Sequence, residues 1–166
     1  MDKPQYIGAG ISREWHNDGQ VVAYAVKTIS ASTLEAWSKD ILAVLEDWPK
    51  NRPFCVLYDV SEHGVGIPYL ALTRGNIFNI AILRGGEARV KEILAAHPAF
   101  RIQLALVVSD SFLGTYMISK GKTTTANSSS VEHKFFFSSN AALEWLTEAA
   151  LAGAVDSGYE VGDAVS

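Results

Sequence analysis

The 166-residue chain has a single cysteine, Cys55. No intramolecular disulfide can form, so the fold must rest on packing. Cys55 lies in the apolar run Phe54 to Tyr58, where a free thiol reads as a small buried hydrophobe. Positive charge is scarce as well: 14 Lys and Arg stand against 18 Asp and Glu, a formal net charge of −4. A weakly acidic chain has no long-range pull on phosphate backbones or anionic lipid, which argues against nucleic acid as a partner. Long hydrophobic runs are missing. None approaches the ~20 residues that cross a bilayer, so no membrane span is expected. Met1 to Gly10 holds Asp2, Lys3 and Pro4 where a secretion signal would be apolar. These absences together lead to the expectation of a cytoplasmic protein, in which the sequon Asn127-Ser128-Ser129 has no use. Metal-ligand spacing is lacking too. His16, His63, His97 and His133 are far apart, and none forms a His-x-x-x-His pair or a site with Cys55. No metal or other cofactor is expected.

What is present is an ordinary globular composition, 48% hydrophobic and 19% charged, with length enough for one domain and a full core. Ile11 to His16 and Gln20 to Lys27 read as two strands around Asn17-Asp18-Gly19, a turn sequence that tolerates positive φ. A first helix follows. Ser32-Thr33-Leu34-Glu35 has the pattern of a capping box, and Leu34, Trp37, Ile41, Val44, Leu45 and Trp48 share one face. Glu35 and Lys39 are spaced to pair on the outside. Pro49 and Pro53 end the helix.

Phe54 to Val60 and Arg101 to Ser109 are nearly continuous apolar runs, as suits strands covered on both faces. Val131 to Phe137 is a third strand, interrupted by Glu132, His133 and Lys134. A helical segment follows each. Pro68 opens one at its first position, carrying Tyr69, Leu70 and Leu72; Asn76 to Leu83 is ambiguous between helix and strand; Glu87 to Ala96 is helical, with Val90, Ile93 and Leu94 inward. Ser109 to Ser111 can cap a helix carrying Phe112, Leu113, Tyr116 and Met117. Asn140 caps Ala141 to Leu151, with Leu143, Leu146 and Ala150 on one side. This alternation predicts an α/β fold: an N-terminal β-hairpin, then alternating strands and helices in a mixed, mostly parallel sheet. Residues 1–10 are an N-terminal extension, 11–151 a single domain and 152–166 a flexible acidic tail. Lys120 to Ser130 is a polar, mobile loop.

Chemistry-bearing motifs are few. Gly121-Lys122-Thr123 imitates the end of a phosphate-binding loop, but Tyr116 stands where its earlier glycine belongs. Arg84-Gly85-Gly86-Glu87 reads as a helix-to-helix turn. The richest cluster is Asp59-Val60-Ser61-Glu62-His63, leaving a buried strand. Ligands of open α/β sheets gather beyond the carboxyl ends of the strands, and the loop after Val108 opens at the same edge. Asp59, Ser61, His63, Ser109, Asp110 and Ser111 are therefore the candidate ligand or interaction site. No Gly-x-Ser-x-Gly elbow supports a hydrolase.

Several phrases resemble the STAS superfamily, the sulphate-transporter and anti-sigma-factor-antagonist domains, and within it the SpoIIAA-like proteins. They are Tyr58-Asp59-Val60-Ser61, Leu106-Val107-Val108-Ser109, and Lys134-Phe135-Phe136-Phe137 followed by Asn140-Ala141-Ala142-Leu143-Glu144-Trp145-Leu146. The resemblance covers roughly Ile11 to Leu151 and implies a STAS-like fold. In anti-sigma antagonists it would also imply a phosphorylatable serine in an Asp-Ser-Ser-Gly phrase. The matching stretch here, Val65-Gly66-Ile67-Pro68-Tyr69-Leu70, has no serine, and the role is not carried to Ser61.

Three functional expectations result. The first is a non-enzymatic protein-interaction or regulatory module, its partner another protein or a second copy of itself, with exposed parts of Trp15, Trp48, Tyr69 or Phe78 as the sticky surface. The second is binding of a small apolar ligand or lipid, with Tyr69, Leu72 and Phe78 lining a pocket. The third is a hydrolase-type reaction with His63 as base, Asp59 or Asp110 orienting it and Ser61 as nucleophile.

Overall fold

A computed structural model describes residues 3–120 and 130–165. The first strand, β1 (Gln5–Gly8), lies inside the stretch read as an extension; it pairs antiparallel with β2 (Ile11–His16), which pairs antiparallel with β3 (Val21–Val26). The hairpin turn is the expected one: Asn17 and Asp18 at φ 53° and Gly19 at φ 80° take the left-handed conformations that Asn, Asp and Gly tolerate best. From β3 the sheet continues in parallel through β4 (Phe54–Asp59), β5 (Ile102–Val107) and β6 (Val131–Phe136), giving the spatial order β1-β2-β3-β4-β5-β6. The fold is thus α/β with an N-terminal hairpin and a mixed sheet, as the alternation predicted.

Sequential strand order has a consequence. Each parallel connection steps the same way across the sheet, so right-handed crossovers place their helices on one face. There lie α1 (Ala31–Asp47), α2 (Gly66–Leu72), a short 3-10 turn (Asn79–Ile82), α3 (Gly86–Ala96) and α4 (Asp110–Lys120). Leu34, Trp37, Ile41 and Leu45 of α1 pack there against Val22, Tyr24, Val56, Tyr58, Leu104 and Leu106. Burying each large side chain stabilises by ~1.5–3 kcal/mol before conformational entropy is counted. The other face is covered by α5 (Ser139–Val165), whose Ala142, Leu146 and Ala150 meet Ala23, Cys55, Leu57, Ala105 and Val107. Small residues on both sides let this helix approach closely. No helix among the described residues is long and apolar enough to cross a membrane.

Local signals were displaced in several places. The N-cap of α1 is Ser30, whose hydroxyl accepts Thr33 N–H while Thr33 Oγ1 accepts Ser30 N–H; the box at Ser32 and Glu35 does not form. Glu35 instead pairs with Lys39 at 2.8 Å, as its spacing predicted. Pro68 is the third residue of α2 rather than its first, still in the turn where N–H groups lack intrahelical partners. Asn76 to Leu83 is neither strand nor regular helix. Arg74 at φ 54° and Gly75 at φ 79° end α2, and the chain recovers only as the 3-10 turn. α5 is capped by Ser138, whose Oγ accepts Ala141 N–H at 3.1 Å, not by Asn140. Its backbone stays helical to Val165, beyond the expected end at Leu151, and no proline interrupts it. Gly121-Lys122-Thr123, the sequon and all but the ends of the Lys120 to Ser130 loop lie outside the described residues.

Candidate functional site

Two places gather polar side chains, at opposite ends of the parallel strands. The first is the carboxyl edge. Asp59 closes β4, and its Oδ1 accepts both the Ser61 N–H at 3.1 Å and the Ser61 hydroxyl at 2.6 Å. Its Oδ2 accepts the Ser139 hydroxyl at 3.3 Å, tying β4 to the first residue of α5. Across the edge, Ser109 caps α4 by accepting Phe112 N–H at 3.3 Å, and its hydroxyl lies 3.1 Å from that of Ser111. Ser61, His63, Ser109 and Ser111 line one depression of about 200 Å³, together with Gly64, Gly66 and Pro68. The sequence thus placed four of its six candidates around one hollow.

The other two are set apart. Asp59 faces the α5 side of the sheet and lines a separate depression of about 170 Å³ with Ser12, Glu14 and His16. Asp110 is exposed in the first turn of α4, where its charge complements the helix dipole. The imidazole of His63 is exposed, and among the described residues neither Ser61, Asp59 nor Asp110 hydrogen-bonds it. Ser61 gives its proton directly to a carboxylate, the geometry of a local turn rather than of a serine prepared by a base. Glu62 pairs with Lys27 at 3.2 Å and pins this loop to the end of β3. The second candidate set is also dispersed. Tyr69 is fully buried, with its hydroxyl donating to Ile77 O; Leu72 is exposed; Phe78 packs half-buried on the core.

The second place lies at the amino edge, where the sequence had named Trp15 and Trp48 only as separate parts of a sticky surface. The hairpin turn, the last turns of α1 and the segment Pro49 to Arg52 enclose an open groove of about 880 Å³. Its construction is legible from the strand period. Arg13 and Trp15 alternate onto the α1 face of β2. The helical face of α1 ends on Trp48, and the two indoles stack with centroids 6.2 Å apart and planes at 15°. Trp48 is fixed by its indole N–H donating to Pro53 O at 3.1 Å and by an edge contact with Phe54. Lys50 closes the helix: its ammonium donates to Leu45 O at 2.8 Å, Glu46 O at 3.1 Å and Trp48 O. Partial burial pulls the Lys50 pKa down.

The two arginines of the groove differ in their state. Arg13 Nη1 donates to both carboxylate oxygens of Asp40, at 2.7 and 2.8 Å, and Tyr24 O–H donates to the same carboxylate at 2.7 Å. Burial, reinforced by the Asp40 charge, holds the Tyr24 phenol well above its ordinary pKa, so it remains a donor. Arg52 stacks its guanidinium 4.7 Å from the Trp48 ring centre. It makes one long hydrogen bond, to Gly19 O at 3.4 Å, and pairs with no carboxylate among the described residues. Asp18 and Asp47 stand exposed on the rim. The arrangement can take an aromatic or aliphatic side chain against Trp15 and a carboxylate on Arg52. The missed signal was the pairing itself: Trp15 and Trp48 were each visible, but only the return of α1 along the sheet stacks them.

Comparison with protein families, with curated proteins and with solved structures found no match. Among the described residues no group of His, Cys, Asp and Glu is arranged to hold a metal ion.

Proposed function

We propose that this chain is a STAS-like, non-enzymatic interaction module that docks a segment of another protein in the amino-edge groove. The observation that carries the reading is Arg52, a guanidinium stacked on Trp48 without a carboxylate partner, beside the half-buried face of Trp15. Tryptophan and arginine dominate the energetics of protein interfaces, and a pre-stacked guanidinium loses little freedom on binding. The occupant is a segment offering an apolar side chain next to Asp or Glu. An open groove suits such a segment better than an enclosed small molecule, which supports the interaction reading over the apolar-ligand one.

The test is photo-crosslinking in the native cell from a reactive residue placed at the exposed Asn17. Wild type is compared with Arg52→Glu, with Trp15→Ala and with a remote control, Lys91→Ala. The proposal expects one crosslinked protein that survives in the control and disappears in both groove variants, whose melting curves show them folded. Replacing the partner's carboxylate with lysine should then restore capture by Arg52→Glu. Identical capture by all four proteins would overturn the groove. A small apolar molecule retained in native mass spectrometry, and lost in Trp15→Ala, would replace this reading with the ligand one.

A further inference from the structure

Lys50 lies outside α1, beyond Pro49, yet turns back onto the end of that helix. Its ammonium donates to Leu45 O at 2.8 Å, to Glu46 O at 3.1 Å and to Trp48 O. These carbonyls belong to the end of α1, where a helix has no backbone partners left to offer. The last turn carries Glu46 and Asp47 and no basic residue, so two negative charges stand at the negative end of the helix dipole. Arg89 of α3 meets one of them, pairing with Glu46 at 2.9 Å. Lys50 brings a positive charge to the carbonyls themselves.

The return of Lys50 shapes one wall of the groove. Trp48 is the C-cap of α1 in an extended conformation, φ −69° and ψ 136°, with its N–H donating to Leu45 O at 3.2 Å. Bonds from one ammonium to residues 45, 46 and 48 draw Pro49 and Lys50 back across the helix end. Two residues later Arg52 comes over the Trp48 ring at 4.7 Å, and Trp15 stacks on the same indole. That indole has holds of its own, on Pro53 O and against Phe54. They fix the ring, not the course of residues 49–52. The Lys50 ammonium also lies 5.6 Å from the centre of the Phe100 ring, so its stem is packed as well as its charge bound. The two contributions are separable by substitution.

We propose that Lys50 is the positioning residue of the groove: its charge, not its stem, holds Pro49 to Arg52 in the conformation that sets Arg52 on Trp48. This rests on the reading of the groove as a docking site and adds its control, since one ammonium keeps the site pre-formed. Without that charge three carbonyls lose their donor, and Asp47 and Glu46 lose a nearby opposite charge. The last turn then frays and the segment after it loosens. A groove that must be ordered on binding holds its partner more weakly.

The chain has four tryptophans, so labelling the full chain with fluorotryptophan gives four fluorine NMR lines, each assigned by replacing its residue with phenylalanine. Lys50→Met keeps a stem of similar length and removes the charge. The lines of Trp15 and Trp48 should shift, while those of Trp37, buried in the core, and Trp145, beside Phe136, should stay in place. Lys50→Cys should act in the same way. Alkylating it with bromoethylamine should return both lines to their wild-type positions, because the thiolate displaces bromide and the new side chain ends in an ammonium. Cys55 is fully buried and escapes the reagent. In the crosslinking test Lys50→Met should capture about fivefold less partner than wild type. Unmoved Trp15 and Trp48 lines in Lys50→Met overturn the proposal. So do four lines that move together, which would make Lys50 a support of the whole fold. An aminoethylated protein whose lines stay displaced, or undiminished capture by Lys50→Met, overturns it as well. If wild type captures nothing while the two lines respond to Lys50 as described, the docking reading falls and positioning by Lys50 stands.

Discussion

Asp59 illustrates how one side chain is decided by what surrounds it. Its carboxylate accepts two hydrogen bonds from Ser61 and one from Ser139. Asp59→Ala should therefore cost about 1–2 kcal/mol, read from urea unfolding, because both the loop and the start of α5 lose an acceptor. Ser61→Ala should cost about 1 kcal/mol or less, since its backbone N–H keeps the bond. A much larger cost of Ser61→Ala than of Asp59→Ala would contradict the latch. Cys55, fully buried under α5, has its thiol pushed up to about 12 by burial, with Arg52 opposing slightly. The unfolded thiol ionises near ~8.5. Below that pH both states hold the proton and the contribution is fully present. Above it only the unfolded chain ionises, so stability falls by ~1.4 kcal/mol per pH unit until the folded thiol also ionises. Between pH 8 and pH 10 wild type should lose about 2 kcal/mol more than Cys55→Ala. Equal losses in the two proteins would contradict it.

Helix ends are where the sequence reading and the fold part company. Serines at positions 30 and 32 offer competing caps for α1, and Glu35 makes the later one look complete. Lys39 takes Glu35 in an i,i+4 pair, and Thr33 closes the box from Ser30 instead. Ser30→Ala should cost about 1 kcal/mol and Ser32→Ala less than about half of that; the reverse order in thermal melts would restore the later cap. The start of α3 poses a stricter constraint. A Cβ on Gly86 would lie 2.0 Å from Ile80 O, so the helix rests against the 3-10 turn through a glycine backbone. Gly86→Ala should destabilise by about 3 kcal/mol or more, because a backbone carbonyl must move to admit the methyl. The pair Gly85-Gly86 announced a turn in the sequence; the close approach it serves depends on where α3 lands.

Across the molecule the layers set the order of opening. β4 and β5 are covered on both faces and paired on both edges, so their amides should exchange only by global unfolding. In β1, hydrogen exchange should be faster by orders of magnitude. Comparable protection in β1 and β5 would be evidence against this layering.

The sequence by itself determined the fold class, because a hydrophobic period is a local property. Continuous apolar runs at Phe54 and Ile102 specify doubly covered strands, and the face from Leu34 to Trp48 specifies a helix against them. It also brought Ser61, His63, Ser109 and Ser111 to one edge, since strand ends in a parallel sheet meet by topology. Tertiary structure decided the rest. Whether Asp59 faces Ser139 rather than His63 and whether Trp15 stacks on Trp48 both depend on contacts between residues far apart in the chain. No local period encodes those distances; they are set only when the core closes and fixes each backbone to within a bond length.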